Sequence, residues 1–259
     1  MLSLLEVLHL LTPLLVWGSI LTLLARVVLS RWLLPRLAHP TGPFYTLLRF
    51  PGNLVHESSH ALAFLLAGFG VAEFRSCLGD PARRGYVRAG GPWAPWAHPG
   101  VAALMAGPAP LFAGSLVLHL LADWTSMPPL LAGEVVPGWP PDLPLLATAA
   151  TPALKMALDL PWGPVPLLVF LLLALSVGAE MAPSGEDMAQ VVLPFLGLVA
   201  GLTLVGWLGG VEPIFQPLKQ GLFTTVDSVI GWLQPPLVTS VVVLSLVAVI
   251  LTPWVLLRR

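Results

Sequence analysis

Long apolar runs, each closed by an arginine or an acid, dominate the chain. Val7–Ala25, Pro161–Ala179, Met188–Val211 and Ser228–Leu257 carry no formal charge. Ala89–Ala122 is uncharged too, but prolines and His98 interrupt it, so its spanning part is predicted to begin near Gly100. Pro51–Ala72 differs from these, because Glu57 sits inside it between two histidines. A helix that crosses a bilayer needs roughly 20 predominantly apolar residues. Any one run alone fits a buried core helix. Five or six in one chain of 259 residues leave no polar surface to cover them. The expectation is an all-α polytopic membrane protein with five to six transmembrane helices, forming a single integral membrane domain over 1–259.

The breaks in the pattern predict the connections. Asp123–Leu160 is rich in proline and reads as an extramembrane loop with one short amphipathic helix near Ala153–Leu158. Glu212–Asp227 reads as a second such stretch, separating the last two spans. Val71–Ala89 alternates and carries Gly79-Asp80-Pro81, so it predicts a short β-hairpin turning near Gly79–Ala82. A plain basic loop accounts for it equally well. The first apolar run has no basic residue ahead of it, is preceded by Glu6 and is followed by no small-residue cleavage motif, so a retained first helix is expected.

Composition narrows the class. Hydrophobic residues make up 56% and charged residues 10%, against roughly 25% charged in soluble domains. The net charge of −1 gives no basic face for nucleic acid. Cys77 is the single cysteine, which excludes an internal disulfide and a multi-cysteine metal cage. Arginines constrain orientation. Arg26, Arg31, Arg36 and Arg49 precede the Glu57 segment, and Arg75, Arg83, Arg84 and Arg88 follow it. All eight are cytoplasmic if that segment dips into the bilayer and the chain then turns back. Trp93, Trp96, Trp124, Trp139, Trp162, Trp207, Trp232 and Trp254 mostly flank the predicted spans, as headgroup-level belts do.

One cluster carries chemistry. In Val55-His56-Glu57-Ser58-Ser59-His60 the two histidines lie one helical turn apart and point the same way. Two imidazoles so placed can share Zn²⁺, and Glu57 can act as a general base beside it, the H-E-x-x-H arrangement of zinc metalloproteases. Ala61–Leu66 continue the helix, and Pro51-Gly52 fit its first turn, where proline is tolerated. A plain packed polar helix is the alternative. It leaves three ionisable side chains in an apolar segment without a purpose, at a cost of a few kcal/mol each. Catalytic zinc takes a third protein ligand. Asp159, Glu180, Glu186, Asp187, His98 and His119 are the candidates. Asp187 also fits a helix-capping role after Pro183-Ser184, and His119 reads as packing. Asn53 lies on the histidine face and reads as a helix cap or an oxyanion donor.

These residues resemble the site-2 protease class of intramembrane zinc metalloproteases, in particular its compact bacterial and archaeal relatives. The likeness rests on Pro51-Gly52 before the zinc motif, Gly85-Tyr86-Val87 after it, Ala106-Gly107-Pro108-Ala109-Pro110-Leu111, and Met181-Ala182-Pro183-Ser184-Gly185-Glu186-Asp187. It covers about Leu48–Met188, so the protease-like core is expected over 48–188 and extra helices over 189–259. The resemblance implies that His56, His60 and Asp187 hold Zn²⁺, with Asp159 in reserve, and that Glu57 is the catalytic acid-base. It implies peptide-bond hydrolysis in membrane proteins or membrane-anchored peptides, in a prokaryotic inner membrane. Leu160 stands where the larger proteases have glycine after the aspartate, and Ser58 replaces the usual apolar residue within the motif. A non-catalytic zinc-binding membrane protein and a small proton or metal transporter are the competing readings. A transporter would show paired charges along several helices, and here one cluster stands alone.

Overall fold

The computed structural model describes residues 7, 12, 16, 18–25, 43–78, 85–124, 165–182, 192, 196–197, 199–208, 214 and 216–257. Helix α1 spans Pro43–Leu66 and is followed by strands β1 (Phe69–Arg75) and β2 (Tyr86–Pro92). Helices α2 (Pro99–Ala106), α3 (Ala109–Trp124), α4 (Val165–Met181) and α5 (Gln216–Leu257) complete the labelled elements. Among the described residues the protein is mostly helical, with one two-stranded antiparallel sheet.

Two helical stretches among the described residues are long and apolar enough to cross a membrane: Pro99–Trp124, which is α2 and α3 together, and Gln216–Pro253 within α5. Leu168–Met181 and Val199–Leu208 are shorter apolar helices. The count of five to six is therefore not reached among these residues. The expected spans Val7–Ala25 and Met188–Val211 are described only in part. The expected loop over Glu212–Asp227 is corrected from Gln216 onward, where the chain is helical. α5 runs unbroken from Gln216, since its polar residues Lys219, Gln220, Thr224 and Asp227 are compatible with an exposed helix surface. At about 1.5 Å per residue it exceeds the thickness of a hydrocarbon core.

Helix α4 is the centre of the bundle and touches α1, α3 and α5. Its buried residues Phe170, Ala174, Val177 and Met181 repeat at helical spacing and join Leu118, Leu121, Leu237, Val241 and Leu244 in the main core. Small residues let helices approach there, with Gly114 against the Met181 side chain and Gly178 against Ser240.

Helix α1 is polar on its buried side and apolar on its exposed side. Thr46, Asn53, His56, Glu57 and Ser59 are buried, whereas Leu47, Leu54, Leu62, Leu65 and Leu66 face outward. It also begins eight residues before Pro51 (at Pro43), so Pro51 lies inside the helix and the expectation of a first-turn proline is corrected. Proline gives the helix no N–H. The following N–H, of Gly52, donates across to Ser176 Oγ of α4 at 2.9 Å. A neighbouring hydroxyl compensating an interior proline is how apolar helices accommodate one.

Gly68, with φ +87°, ends α1 in the left-handed conformation and turns the chain into β1. Its carbonyl accepts from the N–H groups of Trp93 and Ala94, tying the far end of the hairpin to the end of α1. The predicted hairpin is present, with Glu73 opposite Arg88 and Arg75 opposite Tyr86, and with register shifts near Val71. Its expected turn over Gly79–Ala82 lies outside the described residues. β1 runs back along α1 for about the length of the helix between Gly68 and Asn53, which lays the hairpin over the face bearing Glu57.

Candidate metal centre

His56 and His60 converge. Their Nε2 atoms lie 3.1 Å apart, with the rings edge to face at 76° and centroids 4.8 Å apart. Two imidazole nitrogens on one tetrahedral zinc at 2.0–2.1 Å each would be separated by roughly 3.3 Å. The helical spacing brings the rings together, and a second contact sets the tautomer. His56 Nδ1 lies 2.7 Å from the main-chain oxygen of Glu180. A carbonyl only accepts, so Nδ1 carries the proton and the lone pair of the neutral ring is on Nε2, facing His60. This outer-shell contact is the kind that orients metal-binding histidines. The pair of nitrogens and the tautomer fit a zinc ion.

Glu57 is buried at 5% exposure beside the first histidine. Asn53 Nδ2 approaches its Oε1 at 3.4 Å. Asn53 Oδ1 accepts from the Cys77 N–H at 2.9 Å, just past β1. Asn53 is therefore neither at a helix start nor free to cap one. It bridges the general-base candidate to the hairpin. The other end of the hairpin's tip closes on the same place. A Cβ on Gly85 would lie 2.6 Å from Asn53 Oδ1 and 2.8 Å from Glu57 Cγ, so only glycine fits there without displacing them. Ser59 is buried and donates to the His56 carbonyl at 2.6 Å, while Ser58 is exposed, consistent with its pointing away from the metal face. On the hairpin, the Tyr86 hydroxyl first, and then Arg75 and Arg88, hold the Glu73 carboxyl below its ordinary range.

The candidates for a third ligand separate clearly. Glu180 gives its carboxylate to Arg49, with Nε to Oε1 at 2.6 Å. His98 caps α2 by accepting from the Gly100 N–H. His119 is bonded to the Trp232 carbonyl at 3.0 Å and packs on its ring. These three are engaged elsewhere. Asp187, Asp159 and Glu186 lie outside the described residues. Among the described residues no third His, Cys, Asp or Glu side chain completes a metal-holding group with the two histidines. Sequence reasoning missed the parts played by Ser176, the Glu180 carbonyl and the Cys77 N–H. The one available signal was that an acid closing an apolar run ends a helix, where carbonyls lack helical partners.

No protein-family model, curated protein or solved structure matches this chain.

Proposed function

We propose that the protein is an intramembrane zinc endopeptidase of site-2 protease type, set in a prokaryotic inner membrane by five to six spans, that hydrolyses peptide bonds in membrane-anchored substrates. The observation that carries this reading is the 3.1 Å approach of His56 Nε2 to His60 Nε2 with His56 Nδ1 committed to a carbonyl. The inverted polarity of α1, with leucines outward and ionisable groups inward, supports a lipid surrounding.

His56 and His60 would hold the metal together with Asp187. Zinc, when bound, supplies a Lewis acid that polarises a carbonyl and lowers the pKa of water. Glu57 takes a proton from the attacking water as the new C–O bond forms, and passes it to the amine as the C–N bond breaks. Asn53, one turn earlier on the same helix, approaches the Glu57 carboxylate through Nδ2 and accepts from the Cys77 N–H at the end of the hairpin through Oδ1. Among the described residues the sheet has two strands, so each is an edge strand. Such an edge suits an extended substrate, and a helical peptide bond must unwind before it is accessible to attack.

Metal analysis and a membrane-anchored reporter test the reading together. Wild-type protein and Glu57→Gln should both carry about one zinc per chain, the stoichiometry of a mononuclear catalytic site. Cleavage should fall about 10²–10⁴-fold or more in Glu57→Gln, the range for loss of a general base. Wild-type protein that binds no zinc, or a variant that cleaves undiminished, would refute it.

A further inference from the structure

Three contacts join α1 to the last turns of α4. The Gly52 N–H donates to Ser176 Oγ, the Arg49 guanidinium pairs with the Glu180 carboxylate, and His56 Nδ1–H donates to the Glu180 carbonyl. Arg49 precedes His56 by two helical turns, so both lie on the face toward α4. Tyr45, one turn earlier still, is buried and places its ring 5.5 Å from Arg49 Cζ. α4 ends at Met181. The Glu180 carbonyl is therefore among the terminal carbonyls that the helix itself leaves without a partner. It is also at the negative end of the helix dipole, which favours both an imidazole N–H and a nearby guanidinium. One residue thus faces α1 twice, with its side chain toward Arg49 and its main chain toward His56.

We infer that the Arg49–Glu180 pair is a positioning latch for the metal ligand His56. By fixing the last turn of α4 against α1, it keeps the Glu180 carbonyl on His56 Nδ1 and so holds Nε2 as the lone-pair nitrogen turned toward His60. The inference rests on the zinc reading for its purpose, but its geometry exists without metal. Glu180 acts here through its carbonyl and through Arg49, so its carboxylate is no ligand.

The test uses the full chain in detergent micelles, with two readouts: zinc affinity by chelator competition, and the His56 ring tautomer by ¹⁵N NMR of the metal-free protein. Arg49→Gln and Glu180→Gln should each weaken zinc binding by about 10–100-fold, the range for loss of an outer-shell contact. Both should turn a single His56 tautomer into a mixture. The double variant should be no worse than either single one, because the two residues act as one unit. Arg49→Lys, which keeps the charge but not the planar fork, should lie between. Arg75→Gln, which removes an exposed pair with Glu73 on the hairpin, should leave both readouts at wild-type values. The latch is overturned if folded Arg49→Gln, or Arg49→Lys where Arg49→Gln does not fold, matches wild type in tautomer. If wild type binds no zinc, the protease reading fails, and the tautomer comparison alone still decides the latch.

Discussion

Helix α4 meets α1 and α3 through the same device, a glycine pressed against it, yet the two contacts differ in what they press on. A Cβ at Gly52 would lie 2.1 Å from the main-chain oxygen of Ser176 and 2.5 Å from its carbonyl carbon. A Cβ at Gly114 would lie 2.1 Å from Met181 Cγ and 2.7 Å from its sulfur. Main chain in the middle of a packed helix cannot step aside, whereas a methionine has three rotatable bonds and repacks. The α1 seam is also polar, with Ser176, Glu180 and Arg49 in it, while the α3 seam is part of the apolar core. The seam that backs His56 is built from backbone atoms and hydrogen bonds, whereas Gly114 presses on the side chain of Met181, which can repack without moving the Glu180 carbonyl.

Substitutions rank this contrast. Gly52→Ala should be the most damaging, at or above the upper end of the about 1–3 kcal/mol typical of overpacking. It should also weaken zinc binding, because moving α4 moves the Glu180 carbonyl. Denaturant unfolding in micelles, paired with chelator competition, checks both. Gly114→Ala should cost about 1 kcal/mol, near the lower end of that range, and leave zinc affinity unchanged. If the two variants lose equal stability and equal zinc affinity, the contrast between the seams is broken. The smallest effect belongs to Gly231 of α5, where an added Cβ meets nothing within 4 Å. Gly231→Ala should stabilise the helix by about 0.5–1 kcal/mol through reduced chain entropy. A loss there would mean that a close neighbour opposes the surface that is open in this structure.

Much of the site was legible in local pattern. Spacing alone put His56 and His60 on one face, and alternation around Gly79-Asp80-Pro81 offered a hairpin alongside a plain loop. Gly85 belonged to a recognisable motif, but its reason, the closeness of Asn53 and Glu57, needed the strand to be laid along the helix. Pro51 misled, because the rule that confines proline to a first turn assumes that nothing outside the helix serves the disturbed backbone. Ser176 does so through the N–H of Gly52, which lies 124 positions before it. The loop expected over Glu212–Asp227 is a helix from Gln216 onward for a related reason. Polar residues interrupt an apolar run without interrupting a helix.

What depends on neighbours along the chain could be read from the residues: an apolar, helical protein and two imidazoles one turn apart with a carboxylate beside them. Docking of the helices and the hairpin settled the rest: the strand pair over a plain loop, which nitrogen of His56 keeps its proton, how Pro51 is tolerated, and that Glu180 serves through its carbonyl while its carboxylate goes to Arg49. Periodicity fixes the direction of side chains within one element. The direction of a main-chain carbonyl at the end of another helix is fixed by how the two helices dock.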